Sequence, residues 1–179
     1  MNELNNIALT KGNYNNIPTL ITSNKFIVNL TNELTITKES NKTNWTSGNL
    51  TYTITITNKT NKSFEQPVVT DIIDTSLVDF IEGSVKIDNV ISRNNQYNYN
   101  TTTHILTINL KDIIPYQTIQ LNFSLRKRAN KCFILKSNSE LKCNGGIKLK
   151  SNYVTVTNSI VRRYYKNTWC GLLNEEYKI

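Results

Sequence analysis

From about residue 20 onward, apolar and polar residues alternate along the chain. In the run Asn49 to Asn58, Leu50, Tyr52, Ile54 and Ile56 fall on one face and threonines on the other, the period of two that marks a half-buried strand. Ile119, Leu121, Phe123 and Leu125 repeat the pattern, as do Leu106, Ile108 and Leu110 in a shorter run, and the stretch Tyr153-Val154-Thr155-Val156-Thr157 reads the same way. No window of about 12 residues shows a 3.6 period. Clusters of Asn, Ser, Gly and Asp separate these runs, with loops expected at 41–48, 58–66, 92–103 and 112–116. The polar run Asn94 to Asn100 is expected to be an excursion into solvent. Short alternating strands between turn-rich loops predict an all-β, antiparallel β-sandwich.

The N-terminal part has a different character. Residues 1–19 are Asn-rich without a clear pattern and predict a flexible arm. The segment Ser23-Asn24-Lys25-Phe26-Ile27-Val28-Asn29 then resembles Ser151-Asn152-Tyr153-Val154-Thr155-Val156-Thr157. Residues 20–31 therefore read as a last strand whose own sheet is missing. Such a strand carries unpaired main-chain groups and must find an edge. Ser23, Asn24, Phe26, Val28 and Leu30 are expected to form an assembly strand that adds to the sandwich of a neighbouring copy. A head-to-tail contact of this kind does not close and yields filaments; pairing with an edge of its own domain is the alternative. The expected organisation is an arm at 1–31, a sandwich at 32–157 and, at 158–179, a docking tail or a strand that covers the sheet.

Composition adjusts this picture in two ways. Thr, Ile and Tyr are abundant and Ala is scarce in the 179 residues, which favours strands over helices. The formal net charge is +8, with one tight cluster at Arg126-Lys127-Arg128 and a pair at Arg162-Arg163. Contact with a polyanion is one reading of the charge, and a soluble lysine-rich surface is the plainer one. No nucleic-acid motif accompanies it, so nucleic acid is not an expected partner. No segment approaches the roughly 20 apolar residues of a membrane span. The first residues lack the basic start and apolar run of a signal peptide, so either the natural start lies upstream or another export route is expected.

Groups capable of chemistry are few. Cys132 and Cys143 bracket a segment that, folded as a hairpin turning at Ser137-Asn138, sets them opposite each other at disulfide distance. Cys170 is then left over, in an aromatic and apolar tail, as an intermolecular or free thiol; a bond from Cys170 to either of the others is a further possibility. The single histidine, His104, has no nucleophile pattern or metal-ligand set beside it. Asp71 and Asp74 are three apart, on opposite faces of a strand, and make no acid–base pair. No cofactor, metal or catalytic activity is expected. Tyr97, Tyr99 and Tyr116 fall in expected loops, where they could stack on sugars.

Several segments together resemble the conserved-repeat domain of bacterial surface proteins known as domain of unknown function eleven. They are Leu34-Thr35-Ile36-Thr37-Lys38, the run Gly48 to Asn58, Val68-Val69-Thr70-Asp71-Ile72-Ile73, Phe80-Ile81-Glu82-Gly83-Ser84-Val85, Ile105 to Ile108, Leu121-Asn122-Phe123 and Ser151 to Val156. The chain departs from that pattern at Pro115-Tyr116-Gln117 and in an insertion at about 129–148. The resemblance implies an immunoglobulin-like sandwich without catalytic activity, found in arrays on Gram-positive walls and in filaments coating some endospores. Shear-resistant surface sandwiches can also carry a Lys–Asn isopeptide bond, for which Lys38, Asn152 and Asp71 would be the nucleophile, acceptor and proton donor, a surface lysine with a turn-forming asparagine being the plainer reading. The function expected is a self-assembling subunit of an extracellular fibre or spore appendage, polymerising with itself and anchored by another protein at the cell or spore surface. A wall-attached adhesin or a glycan- or polyanion-binding module is the alternative.

Overall fold

The computed structural model describes residues 2–24, 26–30, 33–93, 95–128 and 132–158, with backbone alone at 2–6 and 26–30. The chain divides into two compact units, with the boundary between Glu33 and Leu34.

The first unit is a β-ribbon. Strands β1 (Asn2–Asn6) and β4 (Phe26–Leu30) pair antiparallel, and between them β2 (Leu9–Tyr14) and β3 (Ile17–Thr22) form a hairpin. The hairpin turns at Asn15-Asn16, both at positive φ (48° and 62°), which is the two-residue turn that asparagine tolerates and strand twist favours. Ala8 and Ser23 bridge the two pairs: Ser23 N–H donates to Ala8 O at 2.9 Å, and Ala8 N–H donates to Ser23 Oγ at 2.9 Å. Partner numbers sum to 32 in the outer pair and 31 in the inner one (Asn2 with Leu30, Leu9 with Thr22). One extra residue thus sits on the second arm, as in a β-bulge.

This revises two expectations. Asn2–Asn6, Leu9–Tyr14 and the start of Ile17–Thr22 are strands within the stretch expected to be a flexible arm, and Phe26–Leu30 already has a partner in Asn2–Asn6. The period of two is hidden in the inner hairpin because both faces carry apolar residues: Tyr14, Ile17 and Ile21 on one, Leu9 and Leu20 on the other.

The second unit runs β5 (Leu34–Ser40), β6 (Leu50–Asn58), β7 (Val68–Ile72), β8 (Val78–Phe80), β9 (Lys86–Ile87), β10 (Val90–Ile91), β11 (Tyr97–Asn100), β12 (Ile105–Asn109), β13 (Thr118–Lys127), β14 (Phe133–Ser137), β15 (Ser139–Cys143), β16 (Ile147–Lys150) and β17 (Val154–Asn158). One sheet has the order β10-β9-β13-β6-β5, with β8 also on β13, and the other β11-β12-β7-β15-β16. β14 and β17 form a further pair. All these pairings are antiparallel. The core lies between the sheets, with Leu50, Tyr52, Ile54, Ile56, Leu121, Phe123 and Leu125 from one meeting Val69, Leu106, Ile108 and Leu141 from the other.

Two segments expected outside the sheets lie inside them. Within the expected loop at 92–103, β11 pairs with β12, and Tyr97 and Tyr99 pack on Phe80 with ring centroids at 6.3 and 4.9 Å. In the expected insertion, β15 sits between β7 and β16, and Leu141 is fully buried. The Cys132–Cys143 hairpin does not form, because β14 turns away to β17 while β15 goes to β7. Cys143 is a buried free thiol, pushed above its usual pKa by burial. Cys132 is engaged elsewhere, and Cys170, Arg162, Arg163 and the tail from 159 onward lie outside the described residues.

The expected loop at 41–48 also contributes to the core. Trp45 is fully buried, edge-on to Phe133 at 6.2 Å, and its indole N–H donates to Gly48 O at 2.7 Å. Gly48 supplies that carbonyl from a left-handed φ of 67°, where other residues are strained. Main-chain bonds from Trp45 N–H to Thr157 O and from Thr157 N–H to Thr43 O tie the loop to β17.

Candidate functional site

The feature that stands apart from an ordinary sandwich core is a cluster of buried polar side chains. On β5 the inward positions are Leu34, Ile36 and Lys38, so strand geometry sends Lys38 into the core. On β7 the inward positions are Val69 and Asp71. Lys38 and Asp71 are 1% and 3% exposed, and Lys38 Nζ lies 2.5 Å from Asp71 Oδ2. This pair joins the two sheets across the core.

Two serines complete it. Ser137 ends β14 and Ser139 begins β15, so the segment 137–139 crosses the cluster. The Lys38 ammonium donates to Ser137 Oγ at 2.5 Å, and Ser137 Oγ donates to Asp71 Oδ1 at 3.2 Å. Ser139 Oγ donates to Asp71 Oδ2, which follows from its register directly opposite Asp71. Two ammonium protons are thus taken, and the Tyr52 ring lies 4.1 Å from Nζ, where a cation is attracted to the π face. Burial pushes the Lys38 amine below its usual pKa and the Asp71 carboxyl above its own, each against the opposing charge of the other. Burial, reinforced by the Asp71 charge, raises the Tyr52 phenol.

Asn152 is also here, but not at the amine. Its Oδ1 accepts from the Lys38 main-chain N–H and its Nδ2 donates to the Lys38 main-chain O, both at 2.9 Å. These groups lie in the plane of the sheet, whereas the Lys38 side chain leaves it at right angles. The carboxamide therefore caps the outer edge of β5 in the manner of a neighbouring strand. Of the three residues expected to form an isopeptide bond, Lys38 and Asp71 meet through their side chains, and Asn152 meets only the main chain of Lys38.

All four side chains of the cluster are buried. Among the described residues no group of three His, Cys, Asp or Glu side chains could hold a metal. Asp74 lies apart from Asp71 and accepts from Ser76 in a turn. Of the tyrosines expected to stack on sugars, Tyr97 and Tyr99 are turned onto Phe80, and only Tyr116 is well exposed. In the basic cluster, Arg126 and Arg128 both pair with Asp79. Sequence reasoning found Lys38 and Asp71 but missed Ser137 and Ser139. The available signal was a pair of small hydroxyl residues two apart, which fit beside a buried ion pair where larger side chains do not.

Among the described residues no helix is long and apolar enough to cross a membrane. No family model matches the sequence, and no curated protein matches it. Solved structures do. The full-length major pilin SpaD of Corynebacterium diphtheriae matches at a TM-score of 0.53 and 19% identity, over 76% of this chain and 46% of that one. BcpA, the major pilin subunit of Bacillus cereus, matches at 0.50 and 17%, over 85% and 48%. The C-terminal domain of the antigen I/II-family protein AspA of Streptococcus pyogenes matches at 0.50 and 14%, over 86% and 54%. The chain thus spans about half the length of these proteins. At such identities the likeness shows the fold, an immunoglobulin-like antiparallel sandwich of the kind found in pilins and adhesin domains.

Proposed function

We propose that this chain is a non-enzymatic structural subunit of an extracellular fibre on a bacterial cell or spore surface, joined to its neighbours through the N-terminal ribbon. The observation that carries the reading is the ribbon itself. Its inner hairpin exposes Leu9, Tyr14, Ile17, Leu20 and Ile21, and both its long edges carry unpaired main-chain groups. A two-stranded hairpin is marginal alone, and exposed edges invite further strands. Contact through strand addition meets both needs. The pilin-type fold supports the reading, as does a core clamped across its two sheets by Lys38 and Asp71. The donor is a paired ribbon rather than the single strand that the sequence suggests, because Asn2–Asn6 pairs with Phe26–Leu30 and Leu9–Tyr14 with Ile17–Thr22.

Sedimentation velocity over a concentration series tests this. Species growing from one copy to many as concentration rises are expected. A monomer mass at every concentration would contradict the proposal and favour a binding module displayed singly.

A further inference from the structure

Both halves of a strand-addition contact are present in this chain. In the ribbon, the bond from Ser23 N–H to Ala8 O fixes which residues face across the hairpin. Residues 8, 10, 12 and 14 turn their main-chain groups to the partner strand, and Leu9, Lys11 and Asn13 turn theirs outward. On β3 the outward residues are Pro18, Leu20 and Thr22, and proline has no N–H to offer. The edge with a full set of donors is therefore β2.

The sandwich has an edge of matching kind in β11. Asn109 N–H donates to Gln96 O at 2.8 Å, and the same parity turns the main chains of Tyr97 and Tyr99 outward from β11, the terminal strand of its sheet. Three other edges are defended. Asn152 caps β5 at Lys38, β16 carries the exposed Lys148 and Lys150, and β10 is two residues long. Lysine and short length are the usual protections of a strand edge, and β11 has no lysine.

Charge selects the same pair. Residues 1–33 contain Glu3, Glu33, Lys11 and Lys25 and carry no net charge, which leaves the whole +8 on the rest of the chain. Two sandwiches repel each other. A neutral ribbon against the uncharged run Tyr97–Asn100 makes a contact free of that repulsion.

We infer that the β2 edge of one copy pairs with β11 of a second copy, so that the sheet β11-β12-β7-β15-β16 is extended by its neighbour's ribbon. The contact joins two different surfaces and so continues from copy to copy. The inference rests on the fibre proposal and names its acceptor.

Proline scanning on the full chain tests it. Lys11→Pro removes an outward N–H from the donor edge and Tyr99→Pro one from the acceptor edge, and neither N–H serves the chain's own ladder. Lys11→Ala and Tyr99→Ala are the controls, the second because the Tyr99 ring packs on Phe80. Sedimentation velocity is expected to show assembly for wild type and both alanine variants, and monomers alone for each proline variant. An equimolar mixture of the two proline variants is expected to form a two-copy species and stop there, since one donor and one acceptor remain. A wild-type chain that never assembles overturns the fibre proposal itself. An assembling wild type with Tyr99→Pro behaving like Tyr99→Ala overturns β11 as acceptor. In that case, loss of assembly in Lys11→Pro without rescue on mixing identifies ribbon-on-ribbon contact, and no loss in either identifies a contact elsewhere. If Tyr99→Ala is itself monomeric, Asn98→Lys with Asn100→Lys replaces it, keeping the ring and adding charge beside the edge. Unchanged assembly there overturns the inference.

Discussion

Lys38 occupies a position that strand alternation reserves for an apolar side chain, and Asp71 meets it there from the opposite sheet. A buried pair of this kind adds little to stability compared with a hydrophobic replacement, but removing one member strands the other. Asp71→Ala is expected to lose about 3–5 kcal/mol in urea denaturation, and Lys38→Met with Asp71→Leu to recover most of it. A double variant as unstable as the single one would show that the serines and Tyr52 depend on the charges. Proton counting gives a second test. Burial raises Asp71, which adds a proton to the folded state, and lowers Lys38, which removes one. Stability should therefore fall with pH between about 4 and the raised folded value of Asp71, and rise with pH between the depressed folded value of Lys38 and about 10.4. In Asp71→Asn only the lowered lysine remains, so the unfolded chain binds more protons than the folded one. Its stability should rise with pH, by up to about 1.4 kcal/mol per unit, from the depressed folded value of Lys38 up to about 10.4. A urea midpoint for this variant that does not change from pH 7 to 10 would mean that Lys38 keeps its ordinary proton affinity. Finally, Asn152 is bonded to main chain, so the intact mass is expected to equal that of the sequence. A mass lower by roughly 17 Da, the ammonia lost on lysine attack, would show that the carboxamide reaches Nζ after all.

The elements were legible where one face of a strand is apolar and the other polar. The inward residues of β6 and β13 are those that the period of two selects, and all of them are buried. Legibility failed where burial does not follow that rule. β11 reads as a polar loop because its outward residues are asparagines, yet Tyr97 and Tyr99 alternate with them and face the core. The ribbon escaped notice because its inner hairpin carries apolar residues on both faces. The partner of residues 26–30 also lies some twenty residues away, in a stretch without a period. β15 was hidden by the expectation of a hairpin between Cys132 and Cys143, although Leu141 and Cys143 alternate properly. Its central place in a sheet has a measurable consequence. Leu141→Ala is expected to cost about 2–5 kcal/mol, the range for a leucine deleted from a packed core, and to match Leu121→Ala on β13. A change below 1 kcal/mol, as for a surface loop, would place β15 outside the core. In the candidate site, Lys38 and Asp71 were legible as unlike residues on apolar strand faces. The serines were not, because pairing β14 with β17 and β15 with β7 is what brings them there.

At the scale of the molecule, a sandwich clamped across its core is joined in sequence to a ribbon with unpaired edges and little charge. At about 3.3 Å per residue, the arm from Asn2 to Tyr14 has a contour length of roughly 40 Å. That is enough to run along a neighbouring sheet. Strand addition is main-chain bonding with apolar burial, so assembly should persist when surface charge is screened by salt. Weaker repulsion between basic sandwiches should even promote it. Assembly that dissolves steeply between 50 and 500 mM salt would instead mark an electrostatic contact made by the basic residues. The most direct test of the account is negative-stain electron microscopy of the full chain at high concentration, without reductant. Regular unbranched filaments that disappear in the Lys11→Pro variant are the predicted result. Dispersed globules for the wild-type chain, or filaments equally abundant in the variant, would contradict it.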